Sequence, residues 1–379
     1  WRFRAGPRDH RIPGNGRMIS LWPIRSGVII NNGHARFAAG LFPNQGTYQY
    51  ALDATTGKRL AEGKLTFSPQ GYMQLQGNAI KISQGRAPAT VLATLEHADK
   101  THVGKVKGIS AEFPFAWIGT AGHLIGGGNG QVAAFTKTGQ EVWRAEVTGR
   151  AYGLAFADGK LLVSTDQGHI YCFGSTPPPV DQTVVIQPKE VVPSEAAVET
   201  ASFVKSQFQN QRGYCLVIGE IDPAVTSSWV DGASLRFVCR QETQAAVDAT
   251  RASLDAKDLA TRAVVHQGGS VPLPYGSGLF NFVIVPSGAK TLGPALIGEV
   301  ARVLRPAGGK ALIRLPAAEA TRRQTKDWLS GIADLAAYEY ELVEPDGSWI
   351  VITRKTLRGA GQWTHLYASA SHTACSEDE

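Results

Sequence analysis

Residues 213–223 read GYCLVIGEIDP. Tyr214–Ile218 is a short apolar run held between Gly213 and Gly219, the pattern of a strand buried on both faces of a parallel sheet. Such a strand, running into a glycine-bearing turn, is where an open α/β sheet places a nucleotide-type ligand. The alternation continues beyond it. Leu235–Cys239 reads as a second strand, Gln241–Lys257 as a helix, and Ala263–His266 and Phe280–Val285 as two more strands. Pro294–Leu304 reads as a helix stopped by Arg305-Pro306, with Gly308-Gly309 following and Lys310–Leu315 as the next strand. This predicts a parallel sheet with helices on both faces. Tyr338–Val343 and Ser348–Arg354 flank Pro345-Asp346-Gly347, which predicts a closing antiparallel pair.

The residues before this stretch have another texture. Residues 1–26 read as a looped lead-in with a short strand around Met18–Trp22. Val28–Asn31 and Ala35–Ala39 are split by the hairpin signal Asn32-Gly33, and Thr47–Leu52 runs into the turn Asp53–Lys58. The layout recurs in Trp117–Thr120, His123–Gly126, Gln131–Phe135, the turn Thr136–Gln140 and Val142–Ala145. A third copy is Ala151–Ala157, Leu161–Ser164 and His169–Phe173. Three or four strands repeating about every 40 residues predict a propeller. The run GGGNG at 126–130 lies between two strands rather than opening a helix, so it reads as a hairpin and not a phosphate loop. Residues 175–197 hold five prolines and read as a stiff linker, in which Thr183–Ile186 offers an edge strand. Glu195–Gln209 reads as an amphipathic helix leading into the central strand.

Two family resemblances overlay this pattern. Residues 299–312, EVARVLRPAGGKAL, and 265–274, VHQGGSVPLP, resemble segments of the class I S-adenosylmethionine (SAM) methyltransferases, a likeness spanning about residues 200–355. The resemblance implies SAM as cofactor and a pocket at Gly219, Glu220, Gln241, Gly268, Gly269 and Ser270; it points to no catalytic residue. The family's side chains are largely replaced there. Its Gly-x-Gly-x-Gly turn matches Gly219–Pro223 with one glycine kept. Its ribose-binding acid matches Gln241, with Glu242 one step away. The acid expected on the adenine amine is Gly269, and the one before the fourth strand's apolar run is Asn281. A charged hydrogen bond contributes about 1.5–3 kcal/mol, so losing two weakens binding by roughly two to four powers of ten. The resemblance therefore implies a methyltransferase fold that has lost its cofactor grip; a shifted site built on Glu220 or Glu242 stays open.

Ala51, Asp53, Thr56, Gly57 and Lys58, with a weaker copy in Ala134, Thr138, Gly139 and Trp143, resemble the turn of pyrroloquinoline-quinone (PQQ)-like β-propellers. That resemblance implies about four blades over residues 17–174, a tryptophan wedged between neighbouring blades, other protein segments or domains completing the ring, and an extracytoplasmic home (periplasm or envelope). A quinone is disfavoured, since no Cys-Cys pair and no matching Glu/Asn/Asp set occurs. Residues 359–376 resemble the opening of a further propeller through Trp363, Thr364, Tyr367 and Thr373; His365, His372 and Cys375 fit no zinc spacing. The chain thus divides into blades (1–174), linker (175–197), a methyltransferase-like α/β domain (198–356) and a propeller opening (357–379).

Composition bounds the rest. The 379 residues carry a formal charge of +6, but Lys and Arg are scattered without aromatic interleaving, which argues against nucleic acid. No apolar run nears the roughly 18 residues of a membrane span. Of the four cysteines, Cys215 and Cys239 read as buried thiols in core strands, and no metal spacing is present. Opening on Trp1 reads as a piece of something longer. Three functions are consistent with these features: a bacterial multidomain propeller scaffold with a degenerate, non-catalytic methyltransferase-like domain; an active SAM-dependent methyltransferase with an unorthodox site and a recognition propeller; and a quinone-linked dehydrogenase, which lacks its ligands.

Overall fold

A computed structural model describes residues 1–14, 16–71, 73–76, 79–82, 111–120, 122–175, 195–208, 211–286, 292–315, 340–343 and 349–357, with positions 109, 323, 327, 359 and 360. Most of the linker with its edge strand at 183–186, the turn at 345–347, and residues 361–379 with His365, His372 and Cys375 lie outside the described residues. The chain forms two compact units, Trp1–Arg8 with Trp22–Val185, and Asp9–Leu21 with Ile186–Glu379. The expected early strand exists as half of a hairpin, β1 (Arg11–Gly14) and β2 (Arg17–Ser20). It groups with the α/β unit, whereas the sequence reading set all of 1–174 with the blades.

In the β-rich unit, β3 (Ile29–Asn31), β4 (His34–Ala39), β5 (Thr47–Asp53) and β6 (Arg59–Leu65) form an antiparallel meander. Asn32 and Gly33, with φ of 51° and 72°, make the left-handed hairpin turn that an Asn-Gly pair favours. At the next turn, Asp53 Oδ1 accepts from the Thr55 and Thr56 amides and from Thr56 Oγ1 at 3.1, 2.7 and 2.8 Å, while Gly57 sits at φ 73°. The strands β7 (Gln74–Gln76) and β8 (Ala79–Lys81) pair separately. A six-stranded sheet follows, with β9 (Ala116–Gly119), β10 (His123–Gly127), β11 (Asn129–Thr136), β12 (Glu141–Ala157), β13 (Lys160–Thr165) and β14 (Ile170–Phe173) in sequential order.

The two strands read at Val142–Ala145 and Ala151–Ala157 are one strand, β12, which passes from one meander to the next through an irregular pairing near Gly149 (φ 90°). Trp143 meets the Phe173 ring edge-on at 5.1 Å, an aromatic contact linking these meanders. The glycine run at 126–130 is a hairpin as read, and a Cβ at Gly127 would lie 2.4 Å from the Ala151 carbonyl oxygen, so packing explains that glycine. Meanders are present as expected. The described residues form meanders without a closed ring, and a propeller is not shown by them.

The α/β unit holds a seven-stranded sheet. Its strands are β15 (Gly213–Ile218), β16 (Leu235–Gln241), β17 (Ala263–Gln267), β18 (Phe282–Val285), β19 (Gly309–Arg314), β20 (Tyr340–Val343) and β21 (Trp349–Arg354). Their order is β17-β16-β15-β18-β19-β21-β20; the first five are parallel, and β21 and β20 form the expected antiparallel pair. The helices are α1 (Glu195–Ser206), α2 (Pro223–Val230), α3 (Gln244–Asp255) and α4 (Pro294–Val303). Alternation along each strand splits the core in two. Cys215, Val217, Phe237 and Cys239 cluster with Val204, Trp229 and Val247 of α1–α3. Leu216, Ile218 and Val238 cluster on the other face with Leu296, Ile297 and Val300 of α4. The connection from β17 to β18, residues 268–281, contains no helix, and Met18 of β2 joins the cluster on that face with Leu273 and Tyr275.

Candidate functional site

In a doubly wound sheet the ligand crevice lies outside the carboxyl ends of the strands, where their order reverses. Here that is the end of β15, with β16 on one side and β18 on the other. The crevice therefore runs past Gly219, the turn after Gln241 and the loop 268–275. Four of the six residues singled out in the sequence, Gly219, Glu220, Gly268 and Gly269, are in its turns, and Ser270 follows in the same loop.

Gly219 takes φ 101° and its amide donates to the Arg240 carbonyl at 2.9 Å, fixing the turn against β16. The residues after it are engaged within the unit. Ile221 packs against the α1–α3 core. Asp222 Oδ1 accepts the Ala224 amide at 2.8 Å, and Pro223 opens the helix, so the α2 N-terminus is capped by its own chain. Glu220 Oε1 accepts from the Thr243 hydroxyl at 2.7 Å and from its amide at 3.3 Å. Thr243 Oγ1 in turn accepts the Ala246 amide at 3.2 Å and caps α3.

Gln241, at the position of the expected acid, is fully buried and faces α3, where its Nε2 donates to Thr250 Oγ1 at 2.9 Å. Alternation along β16 explains the direction: Leu235, Phe237, Cys239 and Gln241 share the helix-covered face.

The residue that dominates the crevice is Arg240, which motif reading passed over. It is 7% exposed. Its Nε donates to the Gly269 carbonyl at 3.0 Å and its Nη1 to the Gln267 carbonyl at 2.9 Å. Gly268, at φ 144°, makes room for it; a Cβ there would sit 2.2 Å from Arg240 Nη2. The loop is held from its other end by the segment that carried the family resemblance. Glu299 accepts the Leu273 amide at 2.6 Å, and Arg302 donates to the carbonyls of Tyr275 and Leu273 at 2.7 and 3.1 Å. The two side chains also pair at 2.7 Å, and the Arg302 hydrogen bond holds the Glu299 carboxyl below its ordinary range. These residues shape the loop whether or not chemistry occurs.

His266 lies beneath the loop. Arg11 donates to its Nε2 at 3.1 Å, and arginine cannot accept, so Nε2 is the unprotonated nitrogen and Nδ1–H faces Tyr275 Oη at 3.0 Å. Burial first, and then the charges of Arg11, Arg240 and Arg251, pull its pKa down to about 3. The group stays neutral, so its contribution to stability is intact above its ordinary 6.5 and is lost as pH falls from there toward 3. An NMR titration of the full chain should show the His266 ring unchanged down to about pH 4, whereas a surface histidine titrates near 6.5. Cys215 and Cys239 are buried, unpaired thiols as expected, and burial pushes the Cys239 thiol up to about 12.

An adenosyl cofactor needs an acid on the ribose, space beside the third-strand loop and an open first turn. Here the first is an inward-facing glutamine, the second is filled by Arg240, and the third is closed by the Asp222 cap. Groups of three or more His, Cys, Asp or Glu able to hold a metal are absent among the described residues, and no described helix is long and apolar enough to cross a membrane.

No family model matches the chain, and no curated protein matches it. Solved structures do resemble it. One is an O-methyltransferase from Bacillus cereus in complex with SAH, at 16% identity over 44% of this chain and 84% of that one, with a TM-score of 0.33. Another is a SAM-dependent methyltransferase from Aquifex aeolicus, at 11% identity over 42% of this chain and 93% of that one, also with a TM-score of 0.33. What defines the α/β unit is its own topology, five parallel strands continued by an antiparallel pair.

Proposed function

We propose that the α/β unit works without SAM, as a packing or partner-binding module in a multidomain scaffold whose β-rich unit supplies a recognition surface. The observation that carries this reading is Gln241, buried and bonded to Thr250 where a ribose-binding carboxylate would have to face the crevice. Of the two candidate acids, Glu220 is engaged by Thr243 of the α3 cap, and Glu242 is exposed just past the end of β16. Further propeller segments, from this chain or a partner, are the natural neighbours of the meanders, and an extracytoplasmic home belongs to the same proposal.

Calorimetry of the full chain with SAM and with S-adenosylhomocysteine (SAH) tests it. Two missing charged hydrogen bonds would weaken a site of about 1 μM to about 100 μM–10 mM. A dissociation constant in the low micromolar range for either ligand would refute the proposal in favour of an active methyltransferase using Glu220 or Glu242.

A further inference from the structure

The helix-free connection between β17 and β18 leaves part of one sheet face and the adjoining strand ends to be covered by something else. Asp9–Leu21 covers them, although some 255 residues separate Arg11 from His266. The contacts fall on the crevice itself. The Arg11 amide donates to the Pro274 carbonyl at 2.7 Å, so the segment lies beside Tyr275 as an added strand would. The Arg11 guanidinium reaches His266, one residue before the end of β17. Asp9 sits 3.2 Å from Arg11 and 3.8 Å from Arg240, whose guanidinium fills the place beside Gly268. Farther along, Met18 is 6% exposed in the core shared with Leu273 and Tyr275.

We propose that Asp9–Leu21 is an internal ligand of the α/β unit: the crevice that an open sheet offers to a nucleotide is here a docking site for an extended segment of the same chain. This rests on the reading that SAM is not held, and deepens it by naming the occupant. Backbone pairing supplies the register, Met18 supplies the apolar anchor, and the Asp9–Arg240 and Arg11–His266 contacts tie the segment to the carboxyl ends of β16 and β17.

Hydrogen exchange on the full chain, read by mass spectrometry over peptides 9–21 and 268–281, tests the proposal. In the parent both peptides should be protected together. In Asp9→Ala/Arg11→Ala both should exchange about tenfold to a hundredfold faster, equivalent to about one charged hydrogen bond, with 282–285 and 309–314 unchanged. If the double variant does not fold, Arg11→Lys serves instead; it keeps the charge beside Asp9 but lacks the fork that spans to His266, and should release both peptides by a smaller factor. The proposal is overturned if peptide 9–21 exchanges freely in the parent, or if either variant frees it while 268–281 keeps its protection. SAH calorimetry on the same proteins separates the two claims. Binding by the variant alone supports an internal competitor while refuting the loss of the cofactor groups. Binding by the parent overturns the internal ligand.

Discussion

Gln241→Glu should destabilise the α/β unit by up to about 4 kcal/mol at neutral pH, and should not create a ribose site. The substitution places an acid at the position where the family resemblance expects one. In this fold that position is fully buried and faces α3, with Thr250 Oγ1 at 2.9 Å beside the apolar α1–α3 core cluster. A carboxylate there is an unpaired buried charge, so its pKa rises above the unfolded value of about 4.3. A group whose folded pKa is raised is tolerated at low pH, and stability falls as pH climbs through the folded value. The deficit relative to the parent should therefore be small near pH 4 and grow by about 1.4 kcal/mol per pH unit above it until the folded pKa is reached. Urea titrations at several pH values, with exchange in strands β15–β18 as the local readout, measure this. A variant as stable as the parent at neutral pH, with new SAH binding, would mean that residue 241 can face the crevice after all.

Arg240→Ala should cost a comparable amount, about 3–5 kcal/mol, by a different route. The side chain ties two carbonyls of the 267–269 loop and faces Asp9; its removal frees the loop from its charged donor, strips Asp9 of a cation and opens a cavity against Gly268. Arg240→Lys keeps the charge but offers a point donor instead of a fork, and should recover less than half of the loss. Protection of 267–275 should fall in both variants in that order. Equal stability of Arg240→Ala and parent would show that the loop is held from the Glu299–Arg302 end alone.

The α/β fold was legible because its strands are apolar runs of the right length and its turns carry Gly and Pro. Each strand from 213 to 315 falls within a residue or two of where the texture puts it, and the closing antiparallel pair is present. The turns of the β-rich unit were legible for the same reason, since Asn32-Gly33 and Asp53–Lys58 leave few conformations open. The long strand β12 was not, because an irregularity at Gly149 reads as a break in sequence. Motif comparison named positions at the ends of these strands but could not say which way a side chain points. Gln241 and Arg240 are neighbours on one strand, so alternation sends one to the helices and the other to the crevice. The only local signal for Arg240 was a charge near the end of the apolar strand LRFVCRQ. Nothing near residues 9–21 announced a contact with residues 240, 266 and 275, because that pairing depends on the whole chain's course.

The account turns on whether a nucleoside can be held at the end of β15. A crystal of the full chain soaked in SAH answers this most directly. The expected result is an unchanged crevice, with Arg240 on the Gly269 carbonyl and Asp9 beside it. Adenosyl density next to Gly219, with the carboxylate of Glu220 or Glu242 on the sugar, would contradict it.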